Sequence, residues 1–354
     1  NSLVQSADIA VSGDITTTTG NWTTGNFDIA LSGDWTNNST FTAGIGEVTF
    51  EGAAAQTVSQ TGSGNFYILN VDKSANDVAL NTGIAVSHTL RLIAGPMNLN
   101  THVLTVLRSD TTAIVRTDGY VLSEQIDHSS RIDWIIGTAP GRHEFPFGAV
   151  SGIYIPVSVL VTGGDVDTVK VSTYPTNSAN LPFPVTPTLV TNLLDNQGLD
   201  NSANAVNRFW EINTTDTSGI STLTFTVQTS ELDAVTNLTA QRWDGISQTW
   251  DAPLPGQSRS TNVVTVPFVS EYTTWTLTGE NTPLAVEFLS FEAYTFGEDV
   301  LVKWTTASET NSDFFTVQRS IDGLTFENAA TVDAAGNSHA LLHYKTLDQD
   351  PFQG

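Results

Sequence analysis

Six histidines, thirty-seven carboxylates, eight tryptophans and no cysteine make up the chemical repertoire of this 354-residue chain. Without cysteine there is no disulfide framework, thiolate metal site or thiol nucleophile. Of the histidines only His339 and His343 stand at i, i+4, but a zinc-protease pair needs Glu after the first His and a helix beneath both. Here Ala340 follows, in a segment that reads as strand or loop. The carboxylate pairs Asp165/Asp167 and Asp348/Asp350 have the residue types for glycosidic acid–base work, which requires two carboxyls facing one cleft. Their polar surroundings read as turns instead. Neither a Gly-x-Ser-x-Gly elbow nor a phosphate-cradling loop occurs, so the chain is expected not to be an enzyme.

Two ligand chemistries are compatible with the side chains. Hard oxygen donors in the loop from Asp195 to Asn201 suit calcium, with Asp195 and Asp200 as ligands, although EF-hand spacing is absent and a solvated turn is the simpler reading. Tryptophans in polar, turn-like settings can stack on sugar rings; Trp22 and Trp250 are the candidates, while the others fall at inward positions of alternating strands. Any other cofactor is not expected.

These residues must be positioned by strands. Apolar residues recur with period two, bounded by Gly, Asn, Asp and Pro, and helical periodicity is nearly absent, so the chain is expected to be all-β. Asp8-Ile-Ala-Val-Ser-Gly-Asp-Ile15 returns as Asp28-Ile-Ala-Leu-Ser-Gly-Asp-Trp35, and Ile84-Ala-Val-Ser-His-Thr-Leu90 echoes it. Repetition at about twenty residues predicts β-solenoid-like coils over residues 1–108, with Ile9, Val11, Ile15, Ile29, Leu31 and Trp35 pointing to the core. Longer, aromatic-rich strands over 109–282 predict a β-sandwich. Residues 283–354 alternate cleanly through five expected strands, Asp299–Trp304 and Phe314–Arg319 among them, and read as an immunoglobulin or fibronectin-III-like sandwich lacking its last strands.

Composition narrows the partners. Thirteen Lys and Arg against thirty-seven Asp and Glu give a net charge of −24, and no cation precedes Lys73, which disfavours nucleic acid. No apolar run of about 18 residues is present to insert in a membrane. The absence of an initial Met and of a leader pattern implies a processed or trimmed chain. The five Asn-x-Ser/Thr sites, at Asn21, Asn37, Asn38, Asn213 and Asn237, read as incidental.

Leu284-Ala-Val-Glu-Phe-Leu-Ser-Phe-Glu-Ala293, Val302-Lys-Trp-Thr-Thr-Ala-Ser-Glu-Thr-Asn311 and Phe314-Phe-Thr-Val-Gln-Arg-Ser-Ile-Asp-Gly323 together resemble the fibronectin-III-like module that precedes the sorting tail in large secreted proteins of Bacteroidota. Arg131-Ile-Asp-Trp134, Phe145-Pro-Phe-Gly148 and Gly33-Asp-Trp-Thr-Asn-Asn38 are similar to the stalks of the same proteins. The resemblance implies export by the type IX system to the cell surface or medium. It also implies glycosylation of Thr after Asp, which places candidates at Thr111 and Thr168. The resembling module continues beyond the equivalent of Pro351-Phe-Gln-Gly354, and this departure motivates a specific expectation. The chain would be a structural subunit of an extracellular filament or adhesin stalk that joins itself head to tail. An N-terminal strand carrying Leu3, Val4 and Ile9 would be donated into a neighbour's unfinished C-terminal sandwich. Alternatives are a monomeric adhesin or carbohydrate-binding module that contacts surface glycans, or the non-catalytic part of a larger secreted protein.

Overall fold

The computed structural model describes residues 2–194, 200–279, 286–321, 325–338 and 340–352. Strands dominate, as the alternation predicts, and the chain divides into two compact units, Asn1–Gly279 and Glu280–Gly354.

The first unit begins as a stack of parallel coils. One sheet is built from Ser2–Val4, Asn21–Thr23 and Thr40–Thr42. A second runs through Ile9–Val11, Ile29–Leu31, Glu47–Gly52, Phe66–Lys73, Ile84–Ala94 and Val103–Val106, and a third through Ile15–Thr17, Trp35–Asn37, Gln56–Gln60, Val78–Leu80, Pro96–Asn98 and Tyr120–Leu122. The twenty-residue repeat causes this arrangement, because each inward residue lands on its equivalent one coil further on. Val11, Leu31, Phe50, Val71 and Leu92 form one such column, and Ile15, Trp35, Val58 and Leu80 another. Trp35 joins an aromatic cluster in this core, with ring centroids 5.6 Å from Trp22, 4.9 Å from Phe41 and 5.3 Å from Phe66.

The turns lock the register. The Asp8 carboxylate accepts the N–H of Asp28 at 2.9 Å, and Asp28 in turn accepts that of Glu47 at 2.7 Å. At the next corner Asp14 accepts from Asp34 at 2.8 Å, and Asp34 from Thr57 at 2.7 Å. The repeated aspartates are thus rungs of two ladders that hold successive coils together.

No break separates coils from sandwich. Arg131–Ile135 pairs parallel with Val103–Val106 on one edge and antiparallel with Thr168–Pro175 on the other. The same sheet then continues through Arg208–Thr214, Thr274–Gly279, Leu238–Asp244 and Thr249–Trp250. A five-stranded sheet faces it, in the order Arg142–Phe145, Val157–Gly163, Ile220–Thr226, Val263–Val269 and Ser258–Ser260. Trp210, Phe225 and Trp275 pack between the layers. The expected boundary at residue 108 therefore falls inside one compact unit with one continuous hydrophobic core from Trp22 to Leu277.

The second unit is an antiparallel sheet of Val286–Phe296, Asp299–Arg319, Glu327–Ser338 and Leu342–Asp348. Two strands expected separately are one 21-residue strand. Trp304 and Phe315 would lie roughly 36 Å apart along a straight strand, yet their rings are 5.3 Å apart. The strand folds over where its pairing slips between Glu309 and Phe314, and Trp304, Phe315 and Tyr344 close a small core inside the fold.

Candidate functional site

The residues singled out by their chemistry are dispersed. His343 lies on the last strand of the second unit with Nδ1 3.0 Å from the Thr305 hydroxyl, and His339 falls outside the described residues. Asp195 falls outside them too. Asp200 is exposed and uses Oδ1 to accept from the backbone and hydroxyl of Ser202, at 3.0 and 2.7 Å, which holds its carboxyl below the usual range. The Asp165 carboxylate accepts the N–H of Asp167, which accepts from the Thr215 hydroxyl. Asp348 pairs with Arg319 at 2.7 Å, and Arg319 also donates to the Asp350 backbone carbonyl. Neither carboxylate pair frames a cleft; both brace turns or an arginine.

Neither Trp22 nor Trp250 is a freely exposed ring. Trp22 is 5% exposed and stacked in the coil core, because its strand aligns it with Phe41 on the next coil. Trp250 is half-buried, stacked 6.2 Å from Phe209 and anchored by Nε1 to the Asn192 carbonyl at 2.8 Å. Their polar sequence neighbours point outward while the rings turn in. Thr111 opens a 3-10 turn behind Asp110, and Thr168 begins a central strand; both are half-buried. Leu3, Val4 and Ile9 lie on the first coil, where their strands already pair on one edge with the second, so the expected donor segment is part of the solenoid.

What the sequence reading missed is a buried polar seam on the sandwich. Ser172, Glu211 and Thr274 align in register across three strands and so share one face of the sheet. The turn carrying His128, which has a left-handed φ of 58°, places its Nδ1 2.5 Å from the Ser172 hydroxyl and 3.7 Å from Glu211 Oε2. On the opposite face of the same strand Arg208 is fully buried, forked onto Glu231 at 2.7 and 2.6 Å, with Thr173 at 3.0 Å and Glu124 at 3.2 Å. The signal was available in Arg208-Phe-Trp-Glu-Ile212, where two charges flank an aromatic pair in a strand segment that is buried throughout.

Serine, histidine and glutamate together invite comparison with a hydrolytic triad. That relay needs the serine and the carboxylate on opposite imidazole nitrogens, with the hydroxyl open to substrate. Here both face Nδ1, and Ser172 and Glu211 are fully buried. The cluster is a desolvated packing element. Burial, aided by the charge of Asp127, pushes the Glu211 carboxyl up to about 9. Burial, with Arg131 and Lys170 nearby, pushes the His128 imidazole down to about 3.

A carboxyl raised on folding contributes fully below its unfolded value of ~4.3 and loses that contribution as pH climbs through the folded value. Glu211→Gln does not titrate. Its melting temperature should therefore gain on wild type from pH 5 to pH 9; a difference constant with pH would refute the assignment. His128 has the opposite sense, withdrawing stability as pH falls from 6.5 toward 3.

Among the described residues no group of three or more metal-ligating side chains converges, and no helix is long and apolar enough to cross a membrane. A shallow cleft of about 270 Å³ lies at the first coil, beside Leu3, Thr17, Asn21 and Trp22. Fold and site together define the class: an all-β protein in which a parallel solenoid grades into an antiparallel sandwich, followed by a separate antiparallel sheet. No protein-family model, curated protein or solved structure matches the chain.

Proposed function

We propose that this chain is a non-catalytic, structural segment of an extracellular stalk or filament on the bacterial surface, exported as the resemblance to type IX cargo implies. The observation that carries the reading is the stack of parallel coils, tied one to the next by repeated aspartate ladders and by continuous buried apolar columns. An exposed surface suits the same role. The C-terminal sheet exposes Leu289, Phe291, Tyr294, Phe296 and Phe314, a concentration of apolar side chains of the kind that marks contact surfaces. Assembly through β-sheet contacts fits that surface, and the hydroxyl- and amide-rich, acidic composition keeps such a segment solvated.

Immunogold electron microscopy of producing cells tests the reading. Label along surface-attached stalks or fibres is the expected result; label confined to the cell interior would overturn it.

A further inference from the structure

Resting on the reading that the chain is a stalk segment built from stacked coils, we infer what fits the open face of the first coil: one more coil of the same twenty-residue word, stacked in parallel register and supplied by chain immediately upstream of Asn1.

Three independent features of the first coil have no use without such a neighbour. Glycine is one. A Cβ at Gly33 would sit 2.3 Å from the backbone of Gly13, so close stacking demands glycine there. Gly13 occupies the equivalent place one coil earlier, where a Cβ would meet nothing within 4 Å. Its φ also lies outside the positive region that favours glycine. Nothing inside this unit requires Gly13 to lack a side chain, but a coil stacked above it would.

The aspartate ladders are the second feature. Asp28 and Asp34 each give their N–H to a carboxylate on the previous coil, from Asp8 and Asp14 respectively. The N–H groups of Asp8 and Asp14 have no acceptor among the described residues. Each ladder therefore ends on an open donor, spaced to receive an aspartate twenty residues upstream. Apolar columns are the third. Ile9 is 36% exposed while Ile29, its register partner, is 1% exposed, and Leu3 is open above a buried Trp22. The word that begins at Asp8 repeats the interior word at six of eight positions, including both ladder aspartates and the glycine, and differs only by apolar exchanges at Val11 and Ile15. Antiparallel pairing with a strand from another molecule would satisfy the edge but neither the glycine nor the ladders.

The test appends a second copy of residues 1–20 to the N-terminus of the full chain. The amides of Asp8 and Asp14 should become protected from hydrogen exchange, and Gly13→Ala should change character. In the 354-residue chain it is expected to be neutral while Gly33→Ala is harmful; in the extended chain Gly13→Ala should lower the melting temperature by at least about 4 °C. A twin extension with Ala at its two ladder aspartates should lose most of the protection. Gly13→Ala that stays neutral in a folded extended chain, an extension that stays unprotected, or one that disrupts the body it joins would each overturn the inference. So would a dimer of the unextended chain, seen by sedimentation, that protects the same amides. Surface label with an indifferent Gly13→Ala leaves the stalk reading standing and removes this one; a locked coil with internal label does the reverse.

Discussion

Replacing Trp35 by alanine is expected to cost about 3–5 kcal/mol, the range for emptying a buried indole site. Trp35 has no exposed surface, touches three aromatic rings from three different segments, and donates Nε1–H to Gln60 Oε1 at 2.9 Å. Backbone ladders above and below hold the coil in place, so the walls can relax only slightly into the void, and Gln60 loses its donor. In a stacked array each coil interacts chiefly with its neighbours. The loss should therefore appear as an early transition in the first coils, ahead of the sandwich. Guanidinium unfolding followed by far-ultraviolet circular dichroism and by the remaining tryptophans separates the two. A single transition at the wild-type midpoint would show that the early coils are not organised around Trp35. Trp250→Ala, at a half-buried ring packed on Phe209, is the smaller-effect control.

The second large effect is expected at Arg208. Arg208→Met removes the cation that lies between Glu231 and Glu124 and leaves two carboxylates with little solvent, at a cost of about 3–5 kcal/mol. Burial holds the Glu124 carboxyl above its ordinary value, and Arg208 opposes that rise. Without the arginine the carboxyl rises further. The deficit of the variant should then shrink as pH falls and the Glu124 carboxyl takes up a proton. Denaturant midpoints at pH 7 and pH 4 give the comparison. The combined change Arg208→Met, Glu231→Leu and Glu124→Gln should recover much of the loss, since a buried ion pair replaced by well-packed neutral groups is often close to neutral in stability. Failure of the triple variant to improve on the single one would mean that Arg208 acts through Thr173 and packing, not through its carboxylates.

Both predictions concern residues whose type was visible in the sequence and whose surroundings were not. Trp35 could be assigned inward because it replaces Ile15 in a repeated word. Trp22 could not, because Asn21 and Thr23 beside it are polar and only the alignment with Phe41 shows that the ring turns in. The Asp-to-Asp spacing of the repeat was legible, but its use as a hydrogen-bonded ladder between coils was not. Glu211 and His128 are 83 residues apart in sequence, and pairing of Ser172 with Glu211 is what brings the histidine turn over the carboxylate.

The all-β class, the coil period and the inward columns are local properties: alternation of two and repetition of twenty are written in neighbouring residues, and stacking equivalent residues is their direct consequence. The shared sheet that joins solenoid to sandwich, the fold-over of the long C-terminal strand, the polar seam and the open first coil depend on which strands meet. Strand pairing is made by backbone groups that every residue carries, so residue identity constrains partners only weakly, and the three-dimensional arrangement alone decided them.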